Sequence, residues 1–398
     1  MKVLYWVSLF PTVSETFIRN QITDVLDKGI EVAVLTKSIS NDLQALEGFE
    51  SYNLLNVTTS YKEIIPETKF KKISKAAKIL LGSFFRLTAF HYIRLLQLIF
   101  LNRKKININS IFILHFLLQN KITVVHCHFG TNGNEAVFVK KIGLPIKLLC
   151  TFHGYDIRLG LGSKTPIYND LFKNADTILA ISNYNREKLL LLGALENKII
   201  DLNNGVKVSA SVRTVTNESN LLKILSVGRL VEDKGYQVAL NAVAKLIAFN
   251  SDINIQYDII GGGKLENELI KLSKTLNIDS IVTFHGSQNS EFVKNKMLAC
   301  DFLFLPSKNE ALPTVVLEAQ SLAIPVLATN VGSIKDIVID DETGFLVNYN
   351  EDDLKTGLEK MIANRANWSF YGKNAKNNIS KNYNRTLITE KLLKIYTT

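Results

Sequence analysis

Short apolar runs separated by amphipathic stretches recur along this chain. Residues 3–8 form the first run. Residues 14–28 then take helical spacing, with Ser14 and Glu15 as the cap and Gly29 as the stop. Residues 32–36 return as a strand, which makes the opening unit βαβ. Further strand-like runs lie near 123–129, 147–152 and 177–182. A second set follows at 223–227, 256–260, 281–284, 302–305, 325–328 and 345–347. Strands alternating with helices predict parallel sheets covered on both faces. Two such sets predict an α/β protein of two doubly wound, Rossmann-like domains facing a cleft. Residues 205–220, GVKVSASVRTVTNESN, have no helical period and mark the linker. The expected domains are 1–207 and 208–382, with a C-terminal helix over about 383–398 packing back on the first.

At 398 residues the chain is too long for one ordinary core, and 46% hydrophobic with 21% charged content excludes a disordered chain. The start, MKVLYWVSLFP, runs into polar TVSET instead of a cleavage site and is read as a buried strand. No stretch reaches the roughly 18 consecutive apolar residues of a spanning helix, so the expected location is the cytoplasm. Cys127, Cys150 and Cys300 stand far apart in apolar contexts, as reduced, buried residues do. A net charge of +10 predicts attraction to something anionic: nucleic acid, an acidic membrane surface or a phosphorylated ligand.

Much of that charge falls in residues 61–108, where Lys69, Lys71, Lys72, Lys75, Lys78, Arg86, Arg94, Arg103, Lys104 and Lys105 stand among Ile, Leu and Phe. Helical spacing gathers many of these into basic amphipathic helices. Either they lie on an anionic membrane, which would make the protein peripheral at the inner face of the cell membrane, or they form a solvated insert. Nucleic-acid binding is disfavoured, because the cations cluster with aliphatics and no reading module is recognised.

Candidate chemistry concentrates after the strand at 302–305. A polar loop leads to a helix whose expected first residue is Pro313, a position where a missing N–H has no partner to lose. A helix start just beyond a strand end favours a phosphate. Glu310 lies in that loop and Glu318 in the second turn among Val315, Val316, Leu317 and Ala319. Either Glu318 faces a polar ligand or a structural partner satisfies it, since an unpaired buried carboxylate is unfavourable. After the strand at 223–227 come Gly228, Arg229 and then Lys234, two cations that suit a diphosphate. Gly261, Gly262 and Gly263 follow another strand, where glycine lets backbone approach a bulky ligand.

These motifs together resemble the GT-B glycosyltransferases of retaining family four, in the colanic-acid-type branch that builds bacterial exopolysaccharides. The likeness rests on GRLVEDKG at 228–235, IIGGG at 259–263, FHG at 284–286, the glutamates at 310 and 318, EAQSLAIPVLAT at 318–329 and TGFLV at 343–347. FPTVSETFI at 10–18, HCHFG at 126–130 and TFHGYDI at 151–157 carry it through the first half. The resemblance implies that Arg229 and Lys234 neutralise the donor diphosphate, with backbone at Gly262 and N–H groups from Leu312, Pro313, Thr314 and Val315 around it. It implies Glu318 on the ribose, Glu310 on the donor sugar and His153 beside the transferred sugar. Ser14, Glu15, Thr16, His128 and Gly130 would border the acceptor, a saccharide or a lipid-linked one. Ala311, Ala323 and Ser333 stand where the family often has Gly, and Asp336 where it often has Glu, which bears on the donor sugar's identity.

Two cations and a helix dipole can stabilise a leaving diphosphate, and no Asp-x-Asp ends a strand. No cofactor or obligatory metal is therefore expected. His126 and His128 share a strand face, which suits either a metal or a polar strand end lining the cleft, and no third ligand is evident. The alternatives are a nucleotide-sugar epimerase or phosphorylase on the same fold, or a nucleotide-sugar-binding protein without turnover.

Overall fold

A computed structural model describes residues 1–12, 15–41, 46, 50–83, 88–101, 107–213, 221–249 and 253–398. Ser14 lies outside the described residues, as do Arg86, Arg103, Lys104, Lys105 and the linker segment 214–220. The chain divides into two compact units. One comprises Met1–Ile181, Asn185–Leu202 and Thr389–Thr398, the other Ser182–Tyr184 and Asn203–Ile388.

The first unit is built on seven parallel strands: β1 (Lys2–Phe10), β2 (Glu31–Ile39), β3 (Thr58–Ser60), β4 (Val124–His128), β5 (Lys147–Phe152), β6 (Thr177–Ala180) and β7 (Ile199–Asp201). Their order is β3-β2-β1-β4-β5-β6-β7, with Val3 of β1 paired to Val32 on one side and Val124 on the other. Residues 3–7 are wholly buried, as an apolar run covered on both faces must be. The edge strands β3 and β7 were not expected. Each has three residues, and β3 is the wholly polar Thr-Thr-Ser.

The second unit carries β8 (Leu221–Val227), β9 (Asn254–Ile260), β10 (Val282–Phe284), β11 (Phe302–Leu305), β12 (Val326–Thr329) and β13 (Gly344–Val347), in the order β10-β9-β8-β11-β12-β13. Counted within the unit this is 3-2-1-4-5-6, the order of dinucleotide-binding sheets. The winding reverses between β8 and β11, and in the first unit between β1 and β4. Just beneath the reversal in the second unit, the buried hydroxyl of Ser226 donates to the Phe304 carbonyl at 2.5 Å and lies 2.9 Å from the Tyr257 hydroxyl, tying β8 to both neighbours.

The C-terminal helix, Arg385–Thr397, ends in the first unit's core. Its Tyr396 hydroxyl sits 3.0 Å from Tyr5 on β1 and 2.6 Å from His126 on β4, and Lys147 donates to the Ile395 carbonyl at 2.5 Å.

The helix after β11 runs Thr314–Ser321, one residue later than expected. Pro313 has ψ 103°, so it precedes the helix as an extended residue while its carbonyl already accepts the Val316 N–H at 3.1 Å. At the other end, Ile324 N–H bonds to the Ala319 carbonyl and Ala323 N–H to that of Gln320, a Schellman closure. Ala323 therefore sits at φ 61°, a left-handed position that a Cβ disfavours by about 1–2 kcal/mol. Ala323→Gly should relieve that strain, offset in part by glycine's freer unfolded chain, for a net gain of roughly 0.5–1 kcal/mol. The check is the urea midpoint at unchanged m-value. A midpoint that stays put or falls would mean the turn holds alanine without strain.

Candidate active site

In the second unit, the loops after β8 and β11 meet at the carboxyl ends of the strands where the winding reverses. The Lys308 N–H bonds to the Asp233 carbonyl at 2.8 Å and joins them. Lys234 Nζ lies 2.5 Å from Glu310 Oε1, and Ser307 Oγ donates to the same oxygen at 2.7 Å. Glu310 is only 7% exposed, so its charge is held by these two partners. Arg229 is exposed at the mouth of β8. Leu312 and Pro313 are buried, Thr314 and Val315 half-buried. Among the described residues no acceptor meets the N–H groups of Leu312, Thr314 and Val315, which leaves the positive end of this helix open to an anion. Glu318 is half-buried one turn further on.

Two glycines make this crossing of loops possible. A Cβ on Gly332, φ 57°, would stand 1.7 Å from the Glu310 carbonyl oxygen, and one on Gly261, φ 141°, 2.0 Å from that of Gly228. The glycine run after β9 was expected to admit a ligand. What it approaches is the loop after β8: Leu230 N–H bonds to the Gly262 carbonyl at 3.0 Å, and a Cβ on Gly262 would meet the Ser287 hydroxyl at 2.7 Å.

In the first unit, His153 follows β5. Its Nε2 lies 2.9 Å from Nδ1 of His128, their rings stacked at 5.1 Å and 9°, and Nε2 of His128 meets Gln21 at 3.1 Å. Phe17 and Phe129 flank His153 with centroids at 4.5 and 4.9 Å. Nδ1 of His153 is buried and meets no partner among the described residues. Burial pushes His153 down to about 3 and His128 well below the usual histidine range, so both are neutral near pH 7. His128 stands behind His153, with both nitrogens taken. Glu15 precedes the helix Thr16–Asp27 without capping it, and Glu15 and Thr16 are half-buried.

Asp156 organises this corner. Its carboxylate is wholly buried and accepts the N–H groups of His153, Gly154 and Ile157, each at 3.0 Å, and of Gly130 at 2.9 Å. Burial raises its pKa to about 6, against the lowering by those four donors. The loops after β4 and β5 are thus pinned to one carboxylate. Sequence reasoning passed over Asp156, although HGYD was its signal, and also Ser307, three residues before Glu310.

The expectation that His126 lines an open strand end is overturned. His126 is 0% exposed, with Nδ1 at 2.6 Å from Tyr396 and Nε2 at 2.7 Å from Thr151. A face shared with His128 does not tell how far from the strand's end a side chain lies, and β4 continues beyond His126. Among the described residues, no group of three or more His, Cys, Asp or Glu is placed to hold a metal ion.

Comparison with known proteins accords with this geometry. The family model described as Glycosyl transferases group 1 matches residues 211–382, and that described as Glycosyltransferase Family 4 matches 14–210. A protein of Escherichia coli named for colanic acid biosynthesis, the glycosyltransferase WcaL, is 30% identical over 367 residues, covering 88% of each chain. This chain belongs to the family-four glycosyltransferases. Another similar glycosyltransferase is the amylovoran biosynthesis protein AmsK of Erwinia amylovora, 28% identical over 371 residues, 87% of this chain and 86% of that one. Among solved structures, HepE of Anabaena with UDP and glucose superposes with a TM-score of 0.73 at 13% identity, over 99% of both chains. Sucrose-phosphate synthase of Thermosynechococcus elongatus gives 0.74 at 16% identity, over 100% of this chain and 98% of that one. These likenesses show the GT-B fold, two Rossmann-like domains.

The histidine corner of this glycosyltransferase carries a pH signature. Burial pushes His126 down from 6.5 to about 3. The native state then holds fewer protons than the unfolded chain between those values, so stability falls as pH drops through that window. Going from pH 7 to pH 5 should lower wild-type stability by about 2 kcal/mol more than that of His126→Asn. Urea unfolding at both pH values measures it; equal losses would show that the fold does not require a neutral His126.

Proposed function

We propose that this glycosyltransferase moves a hexose from a nucleoside diphosphate donor to a saccharide or lipid-linked acceptor, with retention and without an obligatory metal, in assembly of a bacterial exopolysaccharide. The observation that carries the proposal is the meeting of Lys234, Glu310 and the open helix end of Thr314–Ser321 at the β8/β11 reversal. Support for the pathway comes from the relatives named for colanic acid and amylovoran biosynthesis, and support for the donor class from HepE, solved with UDP and glucose.

In this proposal the bond from the sugar's anomeric carbon to the diphosphate breaks and its electron pair leaves on the diphosphate, while an acceptor hydroxyl oxygen bonds to that carbon and gives its proton to the departing diphosphate. Arg229, Lys234 and the N–H groups at Leu312, Thr314 and Val315 oppose that growing charge from fixed positions, the condition under which such donors are most effective. Lys234 is held for this role by Glu310, whose carboxylate is held in turn by the Ser307 hydroxyl. Glu310 in turn faces donor-sugar hydroxyls and Glu318 the ribose. In the first unit, the buried, unpartnered Nδ1 of His153 is the ring nitrogen left to bond a sugar hydroxyl, with Glu15, Thr16 and Gly130 bordering the acceptor.

A thermal-shift panel of UDP-, GDP- and ADP-sugars identifies the donor, because a ligand bound only by the native state raises its stability. Release of nucleoside diphosphate that requires acceptor then separates transfer from epimerisation or simple binding. Arg229→Ala and Lys234→Ala should each lower turnover on the order of 10² or more with the fold intact by circular dichroism. Near-normal rates in both at saturating donor would remove the diphosphate from this position.

Glu318→Gln and Glu310→Gln should differ in kind. The first raises KM for the donor with turnover kept, the second mainly lowers kcat. If Glu310→Gln instead changes only the unfolding midpoint, that carboxylate serves to hold Lys234 and does not touch the sugar.

A further inference from the structure

Between residues 68 and 134 the chain has eleven Lys or Arg and no Asp or Glu. The remainder has 36 cations against 37 acids, so the whole excess charge of +10 resides in this one stretch. Six of the eleven, Lys69, Lys71, Lys72, Lys75, Lys78 and Arg94, lie on the helices Lys69–Ser83 and Ala89–Leu101 of the first unit. With no acid nearby in sequence, none of these six forms an ion pair among the described residues.

These helices are apolar on two faces. The inner face of Lys69–Ser83 buries Ala76 and packs Ile79 and Leu80 on the core, and that of Ala89–Leu101 buries Tyr92 and Leu95 against the helix Asn109–Gln119. On the first helix, Phe70, Ile73, Ala77 and Leu81 recur at intervals of three and four and fall within an arc of about 80°, turned away from Ala76 and Ile79. Phe70 is 82% and Leu81 75% exposed. On the second helix, Phe90, Ile93, Leu96, Phe100 and Leu101 are likewise outward, the last two at 71% and 76%. A soluble helix turns polar residues to water; one that shows water a second apolar stripe needs a second apolar medium.

We infer that the outer faces of Lys69–Ser83 and Ala89–Leu101 form a docking surface for an anionic lipid bilayer. Lys71 and Lys78 are exposed along one flank of the Phe70–Leu81 stripe, where their heads reach lipid phosphates while the stripe enters the acyl boundary. Charge complementarity selects lipid over a neutral apolar partner. Among the described residues no helix is long and apolar enough to cross a membrane, so the association is along the surface. The inference does not rest on the donor or acceptor chemistry above.

The test is co-sedimentation of the purified full chain with vesicles of phosphatidylcholine alone or with phosphatidylglycerol added. Binding should appear with the anionic vesicles and weaken as salt rises. Changing Lys69, Lys71 and Lys78 to Glu should lower partitioning roughly a hundredfold or more. Phe70→Ser with Leu81→Ser and Phe100→Ser should also weaken it while the residual binding stays salt-dependent. All these side chains are exposed, so an unchanged unfolding midpoint confirms that each variant is folded. Equal pelleting with neutral vesicles, no pelleting, or no loss in the lysine variant would overturn the inference. A concentration-dependent dimer in sedimentation velocity that the apolar variant abolishes, without vesicle binding by the wild type, would assign the surface to a second copy.

Discussion

The constraint on which the second unit's site depends is the close approach of backbone at the carboxyl ends of its parallel strands. A parallel sheet that winds both ways from β8 leaves one place where neighbouring loops part, and it is there that a ligand can enter. For the loops to define a site they must also be fixed to one another. Carbonyl oxygens of Gly228 and Glu310 are approached so closely by Gly261 and Gly332 that no side chain could stand in between. Side-chain chemistry is laid over this frame. Lys234 and Glu310 reach each other because Lys308 N–H has already tied their loops together.

The first unit solves the same problem with a side chain. Asp156 gathers four N–H groups from two loops, and those bonds meet the need of a buried carboxylate. Its neighbours are neutral rings. His126, His128 and His153 stack along β4 and β5 with every nitrogen but Nδ1 of His153 bonded to Tyr396, Thr151, Gln21 or each other. A buried network with one unbonded atom directs its remaining hydrogen-bonding capacity to that atom. That is a reason to place substrate contact at His153 and support at His128.

How far the sequence could be read follows from the range of the interactions involved. Long Val, Ile and Leu runs announced every central strand, because burial on both faces leaves a local signature. Of the three-residue edges, Val282–Phe284 was expected while Thr58–Ser60 and Ile199–Asp201 were not. Glu310, Lys234 and Arg229 were legible through motif spacing, whereas the pairing of Lys234 with Glu310 spans 76 positions and shows only in the fold. His126 was read as part of an open strand end because periodicity gives a face and not a depth. Its partner Tyr396 is 270 residues away. The glycine run at 261–263 was recognised as a site of close approach, but what approaches is the chain itself.

Charge distribution separates two kinds of electrostatic work in this protein. Outside residues 68–134 cations and acids nearly balance, 36 against 37, so the strand ends of β8 and β11 lie in a part of the sequence with no net positive excess. What it has is local: an exposed Arg229, a Lys234 fixed by Glu310, and unmet N–H groups at a helix start. Such groups act over a few ångströms and are ordered before the ligand arrives, which suits the recognition of one anion in one orientation. Lys69, Lys71 and Lys78 are the reverse case. They are exposed, on long flexible stems, and attract any anionic surface within about a Debye length, which is on the order of 8 Å at physiological salt. Burying either set alone would be unfavourable, and each is kept where its partner can come to it: the site's cations at a strand mouth, the helix's beside an apolar stripe.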